Sequence, residues 1–248
     1  MAGHSQFKNI MVRKGAQDKK RGKLFTKIIR EIMVAAKAGG DINKNPRLRA
    51  AVIKARQENM PKDKIENAIA KGSGANNTEN YDSVRYEGYG PAGVAIIVEA
   101  LTDNRNRTAS NIRDIFTKHD SAMGDSGSVG FMFEHIGIIE YPAAQILEDA
   151  MLEAAIEAGA DNCETSGDVH TITCTMESFG AVRDTLATKF GDAKSAKLAW
   201  SAKITAPASG EAAKNLLELV EALEDDDDVQ EVYTNVEMTA DTLEKLSA

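Results

Sequence analysis

The spacing of apolar residues changes abruptly near residue 80, and this change constrains the fold more than any other feature of the chain. Before it, apolar side chains recur every three to four residues; after it, short β-type runs alternate with helical ones. Within residues 16–38, Leu24, Phe25, Ile28, Ile29, Ile32 and Ala36 form one stripe, without proline and with Gly22 as the one glycine. Gly39-Gly40 ends that helix. Asn45-Pro46 is an N-cap followed by proline at the first helical position. It predicts a second helix to about Asn59, with Leu48, Ala51, Val52 and Ala55 inward. A third helix is expected from Pro61 to Gly72 on Ile65, Ala68 and Ile69, so the three predict a small bundle. Residues 72–80, GSGANNTEN, read as a linker.

Beyond the linker, strands are expected at 84–89, 94–101, 129–133, 137–141, 162–165, 169–175, 196–204 and 229–236. Helices are expected at 105–118, 143–157, 179–190 and 211–223. From 137 to 204 the order is β-α-β-β-α-β, the split βαβ of a ferredoxin-like unit. The flanking pieces supply β-β-α-β before it and α-β after it. The expected fold class is α+β: a helical N-terminal bundle plus two ferredoxin-like α/β domains, one inserted into the other. The boundaries expected are 1–80 for the basic helical domain, 81–135 plus 205–248 for the discontinuous domain, and 136–204 for the insertion.

Charge separates along the same line. Residues 1–80 hold 18 Lys+Arg against 7 Asp+Glu, a net of +11, and the remainder carries −19, giving −8 overall. Over positions 1–56 the bias is 15 basic to 3 acidic, whereas a merely solvated surface mixes signs. Such a segment is suited to a polyanion, neutralising phosphates with release of counterions. The side chains expected to do so are Lys8, Arg13 and Lys14 in the leader, then Lys19, Lys20, Arg21, Lys23, Lys27 and Arg30 on the first helix. Lys20, Lys23, Lys27 and Arg30 share the face opposite its apolar stripe. Arg47, Arg49 and Arg56 follow on the second helix.

The segment TDNRNRT, residues 102–108, lies where a strand ends and a helix begins. Two readings stand side by side, and both can hold at once: Arg105 and Arg107 sharpen an anion site at the helix N-terminus, and Asp103 or Asn104 caps the helix while the arginines bridge to nearby acids. The acidic run from Glu224 to Asp228 reads as a solvated loop between the last helix and the last strand.

Other signals exclude more than they suggest. Residues 88–93, GYGPAG, have the GxGxxG spacing but lie between two strands and contain Pro91, which points to a tight β-β connection. Residues 124–130, GDSGSVG, have no Walker lysine. His4, His119, His135 and His170 have no recognised metal spacing, and His170 is placed on a hairpin strand. Two cysteines, Cys163 and Cys174, are too few for a disulfide framework or a Cys-rich zinc site. No catalytic residue, metal or cofactor is expected. A hydrophobic fraction of 42% supports a real core, yet apolar runs such as 94–98 are too short for a bilayer. With no apolar signal region, a cytosolic protein without membrane contact is expected.

Several stretches resemble one family. MAGHSQFKNI, RGKLFTKIIREI, AGGDINKNPRLR, ENMPKDKIENAIAKGSG, YEGYGPAGVAIIVEALTDNRNRT and GSVGFMFE are similar to the YebC/PmpR family and span nearly the whole chain. The resemblance implies three domains, a helical one and two α/β ones, in a bacterial cytosolic transcriptional regulator that binds DNA. Some relatives resemble translation factors acting at the ribosome instead, among them a mitochondrial translational activator and bacterial members linked to proline-rich stretches. The expected partner is therefore DNA, with ribosome or RNA as the alternative. Gln6-Phe7, Val12 and His119-Asp120-Ser121 depart from the family's frequent Lys-Trp, His and His-Gly-Gly.

Overall fold

The computed structural model of the chain describes residues 17–74, 81–239 and 242, with side chains from Gly22 onward. The chain divides into two compact units, one made of the residues up to Met132 together with those from Ala202 on, the other of Phe133–Ser201.

In the first unit, helices α1 (Gln17–Ala36), α2 (Pro46–Gln57) and α3 (Lys62–Ser73) close around Ile28, Ile32, Leu48, Val52, Met60 and Ile65. Asn45 joins two of them. Its side chain accepts from the Leu48 amide at 3.0 Å, capping α2, and its Nδ2 donates to the Ala35 and Gly39 carbonyls at 2.7 and 2.8 Å. One side chain thus satisfies donors at the start of one helix and acceptors at the end of another. Gly72, expected to open the linker, is instead buried within α3. A Cβ there would stand 2.4 Å from the Met33 carbonyl oxygen, so glycine is what lets α3 approach α1.

The same unit contains an antiparallel sheet of β1 (Asp82–Tyr89), β2 (Ala95–Thr102), β3 (Ala122–Met123) and β9 (Val229–Thr234), in the order β3-β1-β2-β9. Helices α4 (Arg105–Lys118) and α7 (Gly210–Asp225) bury Ile112, Phe116, Leu216 and Val220 with Val94, Ile96 and Val98. A short parallel pair, β8 (Ala206–Pro207) with β10 (Val236–Glu237), completes it. The GYGPAG segment is the tight β-β connection expected, with Ala92 at φ 58. Of residues 129–133, expected as a strand, 129–132 instead make a turn and a 3-10 helix, Gly130–Met132, and Phe133 opens the next strand. The reason is Glu87, buried on β1, whose Oε2 accepts from the Val129 and Gly130 amides at 2.8 and 2.9 Å and so takes the donors a ladder would need. Burial pushes the Glu87 carboxyl up, but the Val129, Gly127 and Gly130 amides and Arg85 outweigh it and hold it below the ordinary range. The chain leaves this unit at Met132 and returns beside it: Met132 O accepts from the Lys203 and Ile204 amides at 2.9 and 3.3 Å.

The second unit is β4 (Phe133–Pro142), α5 (Glu148–Ala158), β5 (Asn162–Ser166), β6 (Val169–Thr175), α6 (Phe179–Phe190) and β7 (Ser195–Ala202). Its sheet order, β5-β6-β4-β7, is that of the split βαβ. Strand β4 starts four residues before Gly137, the expected start of the strand. A Cβ at this position would lie 2.5 Å from the Phe179 ring and 2.7 Å from Cys174 Sγ, so the glycine admits α6. The following helix starts at Glu148, later than expected, after a 3-10 turn at Ala143–Gln145. His170 is 1% exposed and fills this bend. Its Nε2 meets the Ile146 carbonyl at 2.8 Å and its Nδ1 meets Thr165 Oγ1 at 2.8 Å.

Candidate nucleic-acid interface

Lys23, Lys27 and Arg30 stand at i, i+4 and i+7 on α1 and share a face, as the periodicity demands. That face does not look into solvent. It meets residues 224–228, where α7 ends and β9 begins. Lys23 Nζ donates to the Asp225 carbonyl at 2.8 Å and pairs with its Oδ2 at 2.6 Å. Lys27 Nζ donates to the Glu224 carbonyl at 2.6 Å, and Arg30 donates to the Asp227 carbonyl and to Asp228 Oδ1, the latter at 2.9 Å. A helix C-terminus leaves carbonyls without intrahelical partners at the negative end of its dipole, and consecutive carboxylates add to that field. The cations of α1 cap α7.

The acidic run is therefore not a freely solvated loop. Asp225 and Asp227 are exposed, but Asp228 is buried at 4%. Its Oδ2 accepts from Thr108 Oγ1 at 2.7 Å and from Arg107 Nη2 at 2.8 Å, while Arg30 holds Oδ1. Burial alone would raise the Asp228 carboxyl; the hydrogen bonds from Arg107 and Thr108 and the charges of Arg107 and Arg30 prevail and hold it below the usual aspartate value. Lys27 moves the other way: burial lowers its ammonium, and the charges of Glu224, Glu231 and Asp226 offset this only in part. Arg30 also lies 5.5 Å from the centroid of the Tyr81 ring.

The TDNRNRT segment shows the capping and the bridging to acids of its second reading. Asn104, not Asp103, caps α4 by accepting from the Arg107 amide at 3.1 Å. Arg107 bridges Asp103 and Asp228, both at 2.8 Å, which raises its guanidinium further above its ordinary value. Arg105 Nε pairs with Asp82 at 2.9 Å. Lys23, Arg30 and Arg107 thus come together with Asn111 and residues 225–228 around a polar cleft of about 450 Å³.

The remaining expected residues divide further. Arg47 and Arg56 on α2 are exposed and make no ion pair with any described residue. Arg49 turns inward, donating to the Ile42 and Asn43 carbonyls at 3.3 and 2.7 Å. Lys19, Lys20 and Arg21 lie on α1 with side chains outside those described, and Lys8, Arg13 and Lys14 lie outside the described residues altogether. Sequence reasoning missed Asp228, Thr108 and Glu87. For Asp228 the available signal was the opposite net charge of the two parts, which predicts mutual pairing as readily as a shared polyanion. Among the described residues no helix is long and apolar enough to cross a membrane, and no three His, Cys, Asp or Glu side chains are grouped to hold a metal ion.

Two family profiles match the chain: the TACO1/YebC protein N-terminal domain over residues 5–75, and the TACO1/YebC second and third domain over residues 81–236. The chain is also similar to a crystal structure of a conserved hypothetical protein, Aq1575, from Aquifex aeolicus. The identity is 43% and the TM-score 0.81, over 90% of this chain and 92% of that one.

Proposed function

Because the chain belongs to the TACO1/YebC family, we propose that it is a nucleic-acid-binding regulator of gene expression, not an enzyme, and that it acts on DNA in transcription through its basic helical segment. The observation that carries this reading is the shared face of Lys23, Lys27 and Arg30 on α1, three cations that each donate to a carbonyl oxygen of residues 224–227. Donors that hold carbonyl and carboxylate oxygens suit phosphate oxygens as well. The net charge of +11 over residues 1–80 supports the same reading, and so do Arg47 and Arg56, exposed and without an ion pair to any described residue.

The test is equilibrium binding of the full chain to duplex DNA and duplex RNA of matched length across a salt series. The expected result is affinity for DNA that falls steeply with salt, because phosphate neutralisation releases counterions. Arg47→Glu with Arg56→Glu should weaken binding and flatten the slope of log K against log salt. No binding to either polymer at low salt would end the proposal. Tighter binding to RNA, with nuclease-sensitive sedimentation alongside ribosomes, would move the target from DNA to RNA.

A further inference from the structure

We infer that the acidic run Glu224–Asp227 is a built-in competitor for nucleic-acid phosphates, covering the basic face of α1 until a polyanion displaces it. This rests on the proposed function and adds a regulatory step to it.

Three observations support the inference. The run uses the donors a phosphate backbone would use: Lys23, Lys27 and Arg30, three cations on one helical face, donate to the Asp225, Glu224 and Asp227 carbonyls respectively. The contacts of 224–227 are peripheral. None of these residues is fully buried, and the Asp225 side chain keeps 67% of its exposure while paired with Lys23. The next residue is the opposite. Asp228 is fastened by Thr108 and Arg107 to α4 and stays in place when its neighbours lift. A strand held at Asp228 and a helix held by its apolar face bracket a short polar segment that buries almost no hydrocarbon. Opposite charges on the two partners make its hold salt-sensitive, as the binding it opposes is. Such a cover disfavours isolated phosphates and weak encounters. It yields to a ligand that offers several phosphates at once.

The experiment measures binding of random-sequence duplex DNA to the full chain at low salt. The variant Asp225→Asn, Asp226→Asn, Asp227→Asn removes the competing charges and keeps the backbone carbonyls. A charge-matched control, Asp149→Asn, Glu153→Gln, Glu164→Gln, removes three exposed acids from the Phe133–Ser201 unit. The inference expects the first variant to bind about tenfold more tightly than wild type and the control to change little. The single variant Asp225→Asn, which loses one exposed ion pair, should shift affinity in the same direction and serves if the triple variant is unstable. An equal rise in variant and control would show long-range charge alone and overturn the inference. No rise, with wild type binding, would overturn it and leave the proposed function standing. Failure of every form to bind would remove both. Binding by the variant alone would be the strongest support.

Discussion

His170 and Asp228 are both buried polar side chains at places where the chain changes direction, one in each unit, and they are satisfied by opposite means. His170 is held by neutral partners on its own unit, the Thr165 hydroxyl and the Ile146 carbonyl. Asp228 is held by two guanidinium groups and a hydroxyl from α1 and α4, about 120 to 198 residues away in sequence. The neutral arrangement is local and indifferent to salt. The charged one joins remote segments and depends on ionisation, so salt sensitivity should be concentrated in the first unit. Trp200, the one tryptophan, stacks on His135 within the other unit and reports on it separately.

Removing Asp228 should do most. Asp228→Ala strands Arg30 and Arg107 beside a void and is expected to cost about 3–5 kcal/mol, the range for breaking a buried pair from one side. Helical circular dichroism should lose denaturant resistance while the Trp200 fluorescence midpoint stays put; a matching shift in both signals would break the contrast between the units. His170→Ala leaves the Ile146 carbonyl without its donor and opens a cavity, for about 2–4 kcal/mol. Here the Trp200 transition should move first.

Acid should act on the buried carboxylates of the first unit. The folded Asp228 carboxyl titrates below its ordinary value of 3.8, and Glu87 below 4.5. A depressed carboxyl contributes stability that is fully present above its unfolded value and is lost as pH falls through the folded one. Acid titration from pH 5 downward should therefore weaken the first unit progressively, and Asp228→Asn should remove part of that dependence. An unchanged acid profile in that variant would assign the sensitivity elsewhere.

Two smaller effects sharpen the picture. Asp120 follows α4 at φ 50, in the left-handed region that favours glycine. Asp120→Gly should raise thermal stability by about 0.5–1 kcal/mol. Lys23→Ala should change stability by less than about 0.5 kcal/mol, since its partner Asp225 is exposed and such pairs are worth little. A large loss would show that the α1 contact with the acidic run is structural and would count against its displacement.

Much of the architecture could be read from residue order. The helix at Arg105–Lys118, the strand at Val169–Thr175 and the helix at Phe179–Phe190 start and stop as expected, because caps, turn glycines and apolar spacing agree there. The misreadings share a physical origin. Gly137 looks like the start of a strand and lies inside a longer one, as a packing contact; Val129 to Met132 look like a strand and are held as a turn and a 3-10 helix by a carboxylate 42 residues earlier. Local pattern carries neither, since both depend on a distant side chain. The same holds at the candidate interface. The basic face of α1 is visible in its periodicity, but what it faces is not. Nothing in the Glu224–Asp228 run distinguishes its last member from the exposed acids before it.

The closure at Met132 has a consequence for the architecture's history and use. One carbonyl binds the amides of Lys203 and Ile204, so the host chain is stitched shut where the Phe133–Ser201 unit departs and returns. To the host, everything between those points is a single excursion whose entropic burden grows only with the logarithm of its length. A guest on such a stalk can be enlarged, trimmed or exchanged while the parent sheet keeps its register. The insertion therefore behaves as a transplantable module, free to diversify at little risk to the scaffold that carries it.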